Sequence, residues 1–161
     1  MNKRISENYD YRDVAYSYAA QRLGILNIPT EKIVQNAAVV AQNLLEPLRQ
    51  QFEFIYIHSW YRSEPLEREL CKQQLYKWCL INRRSFSDPN SWRDYYMTKQ
   101  HPLGVAVDIR AKNGSIDELY NYIRQNMDFD VLKKEFMFDE IEESGWVHVS
   151  YVSSGNRKLV D

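Results

Sequence analysis

A histidine and an aspartate stand seven residues apart in the segment KQHPLGVAVDI, residues 99–109. His101 precedes a Pro-Leu-Gly bend, and Asp108 lies within the short apolar run that follows. A second histidine, His148, lies in the later segment WVHVSY. Imidazole nitrogens and carboxylate oxygens are common protein ligands of zinc, so these three residues are candidates for a metal site. Each also has an ordinary alternative, since a loop histidine or a strand aspartate is often only hydrogen-bonded or solvent-facing.

The alternation of side chains along a β-strand predicts how these residues can meet. In VAVDI, residues 105–109, the three branched side chains point to one face and Asp108 points to the other. In WVHVSY, residues 146–151, the two valines share the face opposite to His148. If the strands are neighbours, Asp108 and His148 converge away from the core, and the bend can fold His101 back toward them. Two imidazoles and one carboxylate leave a fourth position for water, as in catalytic zinc sites.

Length and composition limit the classes of protein to consider. The chain has 161 residues with 21 basic and 22 acidic side chains, and it contains no long basic run. This balance gives no indication of a nucleic acid or an anionic membrane as partner. No apolar segment approaches the roughly 20 residues that cross a bilayer, and MNKRISENYDYRD at the N-terminus lacks the apolar region of a secretory signal. We therefore expect synthesis in the cytoplasm without a signal peptide, and reduced cysteines at Cys71 and Cys79.

The remaining patterns predict one α+β domain over residues 1–161, with a small, largely antiparallel sheet and helices packed on one face. Pro47 predicts a kink or an end in the second helix, and turn residues with large aromatics predict an irregular loop over 83–100. Strands are predicted over residues 52–59, 104–109, 135–141 and 146–152, and helices over 10–23, from 30 to about 48, from about 65 to 81 and over 116–126.

The segments QHPLGVAVDI and WVHVSY together resemble the zinc D-Ala-D-Ala peptidases of peptidase family M15, in particular the M15A-type branch of phages, prophages and bacterial genomes. That family carries a Ser/Gln-His-x-x-Gly-x-Ala-x-Asp-Ile segment and later a Trp-(Val/Ile)-His-Val-Ser segment. The long helical stretch that begins AAQRLGILNIPTEK is similar to the family's N-terminal region, SWYRSEPL to its substrate-site segment and FDEIEESGWVHVSY to its terminal hairpin. The resemblance thus extends over most of residues 19–151.

This resemblance implies a zinc D,D-peptidase architecture of the hedgehog/DD-peptidase-like type, with Zn²⁺ held by His101, Asp108 and His148. It implies an enzyme that hydrolyses peptide bonds in the stem peptides of peptidoglycan, either as a D-Ala-D-Ala carboxypeptidase or as an endolysin-type endopeptidase. It also implies that the protein is released to act on the cell wall, in a phage or prophage context.

The resemblance also assigns roles beside the metal. The M15A-type pattern has a glutamate three residues before the tryptophan of the hairpin, which here is Glu143, the expected general base. The adjacent Glu142 should point to the other side of an extended segment. Arg62 is expected to bind a substrate carboxylate or to stabilise an oxyanion, and a structural salt bridge is the alternative for it. We expect three further residues to contact the substrate: Tyr61, Ser63 and Trp146.

The chain departs from the family pattern at several positions. The connection between the YRS segment and His101 is longer than in typical relatives, and the aromatic segment 83–100 is the expected insertion. Gly145 stands where several M15 enzymes carry an acidic residue, three positions before the last zinc histidine. Smaller side chains are usual at three further positions: His58, Trp60 and Lys99. The alternative is therefore a catalytically weak or inactive zinc-binding module that recognises the cell wall, or a phage structural protein on the same fold.

Overall fold

The structure of the protein is a computed structural model, and it describes residues 3–135 and 145–161. Its helices are α1 (Tyr11–Ala15), α2 (Tyr18–Leu23), α3 (Glu31–Val40), α4 (Glu46–Phe52), α5 (Glu64–Leu70), α6 (Lys72–Ile81), α7 (Pro89–Tyr96) and α8 (Ile116–Asn126). Its strands are β1 (Ile55–Ser59), β2 (Ala106–Ala111), β3 (Val131–Glu135), β4 (Trp146–Ser150) and β5 (Leu159–Val160). A π-helical turn (Ala41–Leu45) joins α3 to α4, and a 3-10 turn (His101–Leu103) precedes β2.

The five strands form one sheet in the order β1-β2-β4-β3-β5. The pairings of β1 with β2, β2 with β4 and β4 with β3 are antiparallel, whereas β5 runs parallel to β3. The sheet is therefore mixed, and the predicted α+β class with a largely antiparallel sheet is confirmed for its four longer strands. The parallel strand was missed because β5 has only two residues, too few for alternation to be recognised.

The main core lies on one face of this sheet. Val107 and Ile109 of β2 are fully buried there, together with Val147 and Val149 of β4. Helix α8 packs across β2, β3 and β4 through its apolar stripe, and α4 packs against β1. A one-residue slip in strand register would exchange the two faces of each central strand. Burial of these branched side chains therefore sets the register and leaves the opposite face for polar residues.

The helical segment α3–α4 continues past Pro47, so of the two alternatives predicted there, a kink or an end, the end is wrong. The helix runs five residues further, to Phe52. The π-helical turn Ala41–Leu45 ends two residues before Pro47, and it alters the hydrogen-bond pattern near the point where proline supplies no N–H donor. Full burial of Leu44 and Leu48 in the main core holds the segment together across this irregularity.

Residues 89–96 form helix α7, so the prediction of an irregular loop over 83–100 is wrong for this part. Asp88 caps the helix by accepting a hydrogen bond from the amide of Asn90, and Pro89 occupies the first helical position. The same Asp-Pro-Asn residues that open this helix are also typical of turns. The residue pattern therefore favoured a loop in the sequence analysis, although these residues form the capped start of a helix.

Helix α7 packs against α6 through a small cluster of five buried residues, separate from the main core. The members of this small cluster are Cys71, Leu75, Cys79, Trp92 and Tyr95. Both cysteines are free thiols, as predicted. Two aromatic residues of the expected insertion, Trp92 and Tyr95, are therefore buried against α6.

The predicted strand over 135–141 lies outside the described residues apart from Glu135, and so do Glu142 and Glu143. Strand β3 occupies residues 131–135, of which only Glu135 lay in a predicted strand, and it pairs with β4. Within the described part of the chain, no helix is both long and apolar enough to cross a membrane.

Candidate metal centre

Strands β2 and β4 place Asp108 and His148 directly opposite each other. In the register of this antiparallel pair, the two residues are Cα partners. Their neighbours along each strand face the main core, so both side chains project from the other face of the sheet. The convergence predicted from the alternation of the two segments is therefore present in the structure.

His101 reaches the same place through the 3-10 turn and the glycine that ends it. Gly104 has a φ of +72°, in the left-handed region, and a Cβ added there would lie 2.8 Å from Ile33 Cγ2 and 2.9 Å from the Ile33 carbonyl oxygen. Trp60 Nε1 donates a hydrogen bond to the Gly104 carbonyl at 3.2 Å. The bend therefore requires glycine both for its backbone conformation and for its close packing on α3.

Replacing Gly104 with alanine is expected to destabilise the protein by more than the roughly 1–2 kcal/mol that a left-handed conformation costs a side chain. The additional loss comes from the contact between the new methyl group and Ile33. Gly24→Ala is the matched control, because Gly24 has a φ of +65° and nothing within 4 Å of an added Cβ. Urea unfolding of both variants measures the difference, and equal losses would contradict the packing argument.

The three side chains form one group centred on a single carboxylate oxygen. His148 Nδ1 lies 2.8 Å from Asp108 Oδ1, and His101 Nε2 lies 3.2 Å from the same atom. One potential ligand atom from each residue lies within 4.8 Å of the others. Tetrahedral ligands at about 2.0–2.2 Å from zinc are roughly 3.3–3.6 Å apart. The group therefore has a donor set and a spacing that fit a metal ion.

The orientation of the His101 ring decides what its Nε2 atom can do. Nδ1 lies 2.6 Å from the carbonyl oxygen of Trp60, which can only accept, so Nδ1 carries a proton. On a neutral ring Nε2 is then an acceptor, and it faces the acceptor Asp108 Oδ1. A cation between them, either a metal ion or an added ring proton, makes this contact favourable. Histidines that bind metals usually donate their other N–H to a carbonyl or carboxylate in this way.

Asp108 is buried, with 1% of its surface exposed. Burial raises the pKa of its carboxyl, but the two histidines and the Arg62 guanidinium lower it more, so the pKa lies well below its usual range. Arg62 Nη2 donates to Oδ2 at 2.6 Å. Asp108 is therefore an ionised carboxylate that offers one oxygen, Oδ1, to the space between the imidazoles.

Arg62 forms the salt bridge that was its structural alternative. Besides Asp108, its guanidinium contacts Glu67 Oε2 at 3.5 Å, and its Nε donates to Ser59 Oγ at 2.9 Å. Only 18% of the Arg62 side chain is exposed and only 4% of the Glu67 side chain. The arginine therefore connects a candidate metal ligand to helix α5, and it also lines the cavity described below.

The two residues beside Arg62 are directed elsewhere. Ser63 donates its hydroxyl to the Leu26 carbonyl at 2.8 Å, and its amide donates to Asn27 Oδ1 at 2.7 Å. Tyr61 is buried in the main core. Contact of Tyr61 and Ser63 with a substrate stays a prediction, and in this structure both residues hold the segment around Arg62 in position.

Trp146 projects from the same face of β4 as His148. Its Nε1 donates to Glu135 Oε2 at 3.0 Å, and its ring stacks on that of His58 with centroids 6.0 Å apart. His58 is exposed and does not belong to the three-residue metal group. Contact of Trp146 with a substrate also stays a prediction.

A cavity of about 320 Å³ opens beside His101 and His148. Four basic side chains and two carboxylates line its wall: Arg62, Lys99, Lys133, Arg157, Glu67 and Glu135. Sequence reasoning missed most of these residues. Two of them, Lys133 and Glu135, could have been found from the alternation of side chains along VLKKE. They are the cross-strand partners of His148 and Trp146, so they share a face of the sheet with the candidate metal ligand.

Asp130 ties the C-terminal segment to the residue before His101. Arg157 donates to both of its carboxylate oxygens, at 2.8 and 2.7 Å, and Gln100 Nε2 donates to Oδ2 at 2.6 Å. The hydrogen bonds from Arg157 lower the pKa of Asp130 from 3.8 to about 2, although burial opposes them. This network fixes the start of the turn that carries His101.

Replacing Asp130 with asparagine is expected to lower the free energy of unfolding by about 1.5–3 kcal/mol near neutral pH, since hydrogen bonds to a charged group are lost. Because the folded-state pKa is depressed, the ionised carboxylate stabilises the fold above about pH 4, and this contribution is lost as the pH falls to about 2. Urea unfolding of the wild type and of Asp130→Asn across this pH range measures the contribution of the ionised carboxylate. If the difference in unfolding free energy between the two proteins stayed constant with pH, the stabilisation could not come from the ionised carboxylate of Asp130.

Comparisons with known proteins add one partial similarity. No protein-family model matches the chain, and no curated protein matches it either. A solved structure of the vancomycin-resistance D,D-pentapeptidase VanY from a VanB-type cassette, a glutamate-to-alanine variant in complex with Zn(II), is 20% identical with a TM-score of 0.35. The match covers 57% of this chain and 55% of that one, so it spans about half of either protein. The function is therefore inferred from the His101–Asp108–His148 group itself.

Proposed function

We propose that the protein is a zinc-dependent peptidase that hydrolyses peptide bonds in peptidoglycan stem peptides. The observation that carries this proposal is the contact between His101 Nε2 and Asp108 Oδ1, 3.2 Å apart, with His148 Nδ1 2.8 Å from the same oxygen. A single cation would satisfy all three atoms. Two imidazoles and one carboxylate are a ligand set of catalytic zinc, whereas structural zinc sites use four protein ligands. The resemblance of the sequence segments to family M15 supports the substrate class.

Zinc bound by these residues would lower the pKa of a water ligand to about 7 and polarise the carbonyl of the bond to be cleaved. Glu143 is the proposed base, whose carboxylate would accept a proton from the attacking water and return it to the leaving amine. It lies outside the described residues. Two carboxylates that the structure does describe, Glu67 and Glu135, line the cavity beside the histidines.

Arg62 is proposed first as a positioning residue. By holding Asp108 Oδ2, it keeps Oδ1 directed at the imidazoles, and Glu67 keeps the guanidinium in place. A guanidinium has five N–H groups, and three contacts to protein groups leave two for a substrate. Stabilisation of an oxyanion, as expected from the sequence, would have to use those two groups.

Zymography on purified peptidoglycan tests this proposal, with zinc, with a chelator and with zinc restored. We expect clearing that the chelator abolishes and zinc recovers. Stoichiometric zinc without clearing would favour the alternative of a cell-wall recognition module or phage structural protein, for which the glycine at position 145 is the supporting observation. Absence of zinc by elemental analysis after incubation with the metal would contradict the proposal.

A further inference from the structure

Lys99 differs from the other basic residues of the cavity wall in having no ion-pair partner within residues 3–135 and 145–161. The other three are paired with carboxylates: Arg62 with Asp108, Arg157 with Asp130 and Lys133 with Asp161. Lys99 Nζ instead lies 4.0 Å from the centroid of the Tyr95 ring. A cation on an aromatic face keeps its charge available for an additional anionic partner.

The surroundings of Lys99 direct this charge into the site. Tyr95 is a buried member of the small cluster, so the ring that contacts the Lys99 ammonium is fixed in place. Lys99 is half-buried and lines the same cavity as His101 and His148. Partial burial of an unpaired ammonium is unfavourable, and an anion bound in the cavity would offset this cost.

We propose that Lys99 binds the free C-terminal carboxylate of the peptide substrate, which makes the enzyme a carboxypeptidase. This inference rests on the proposed zinc peptidase function and specifies the bond that is cleaved. Arg62, expected from the sequence to bind that carboxylate, already contacts Asp108, Glu67 and Ser59. Among the four basic residues described in the cavity wall, Lys99 is the one without an ion pair.

The dimensions of the cavity agree with this assignment. A terminal carboxylate lies one residue beyond the bond to be cleaved, and one residue spans about 3.3–3.6 Å of extended chain. Lys99 lines the same cavity as His101 and His148, so a peptide end bound there can contact both the histidines and the lysine. The volume of about 320 Å³ is at the lower end of the roughly 300–1,000 Å³ of small-ligand pockets, so it suits the end of a peptide.

Kinetics with two substrates test the proposal. An N-acylated peptide that ends in D-Ala-D-Ala is compared with its C-terminal amide, on the zinc-loaded wild type and on Lys99→Met, which keeps the apolar stem against Tyr95. We expect the wild type to prefer the free acid at least tenfold in kcat/KM, mainly through KM. Lys99→Met should lose this preference and cleave the amide as the wild type does. Lys112→Met, at an exposed lysine paired with Glu53 outside the cavity, should keep it.

The outcomes separate this inference from the proposed function. An equal loss of acid and amide cleavage in Lys99→Met would place Lys99 at the oxyanion and overturn its role in carboxylate binding. Chelator-sensitive cleavage of internal peptide bonds, with neither short peptide cleaved, would overturn the carboxypeptidase assignment and leave the peptidase function intact. If no zinc-dependent cleavage occurs at all, the proposed function fails. Calorimetry with D-Ala-D-Ala and its amide then still tests Lys99, and equal affinity of the wild type for both would overturn its role.

Discussion

Replacing His148 with alanine is expected to abolish zinc binding and, with it, peptide hydrolysis. His148 supplies one of the three potential ligand atoms, and Asp108 would keep only one imidazole partner. Loss of a group that merely orients a metal ligand weakens metal affinity by about 10–100-fold, so loss of the ligand should weaken it by at least about 100-fold. Equilibrium dialysis against buffered zinc, followed by elemental analysis, measures this change.

His58→Ala is the matched control for this experiment, because the chain has three histidines and His58 is the one outside the metal group. It is exposed on β1 and stacks on Trp146. We expect this variant to bind zinc with the affinity of the wild type. An unchanged zinc affinity in His148→Ala would show that the three residues are a hydrogen-bonded network and not a metal centre.

Replacing Glu143 with glutamine is the second change with a large expected effect. A general base contributes about 10²–10⁴-fold to the rate, so kcat should fall by that factor. Zinc should stay bound at the wild-type level, because the change touches none of the three ligands. Steady-state kinetics on a stem peptide, with the zinc content of each preparation determined in parallel, separates loss of the base from loss of the metal.

Glu142→Gln tests the same segment with the neighbouring carboxylate. Successive side chains of an extended segment point to opposite sides, so this variant should keep kcat within a few-fold of the wild type. Near-normal turnover in Glu143→Gln would refute its assignment as the base. The carboxylates to examine next would be Glu135 and Glu67, which line the cavity in the described part of the chain.

The faces of the candidate metal ligands could be predicted from local patterns, although Asp108 and His148 are 40 residues apart. Alternation fixes the faces of Asp108 and His148, and burial of the intervening branched residues fixes the register that makes them partners. His101 needed only a tight turn, which the Pro-Leu-Gly sequence supplies. Short-range rules therefore gave the faces and the turn, whereas the pairing of the two strands was a condition that the structure fulfils.

The supporting contacts could not be predicted in this way, because no alternation or turn pattern relates the segments that they join. The ion pair of Arg62 with Asp108 spans 46 residues, and that of Asp130 with Arg157 spans 27. Each of these side chains, taken alone, has the pattern of an ordinary surface charge. Only the packing of α5 and the C-terminal segment around the site gives them their partners.

The two groups of buried residues give the two sides of the cavity different sources of stability. The main core holds the strands that carry Asp108 and His148, whereas the five-residue small cluster holds α6 and α7 and supports Lys99 through Tyr95. Regions with fewer buried contacts open at lower free energy, without global unfolding. Local opening of α6 and α7 would therefore release the side of the cavity that carries Lys99, while Asp108 and His148 stay together on the sheet. Substrate affinity and metal retention can then fail at different temperatures in one and the same molecule.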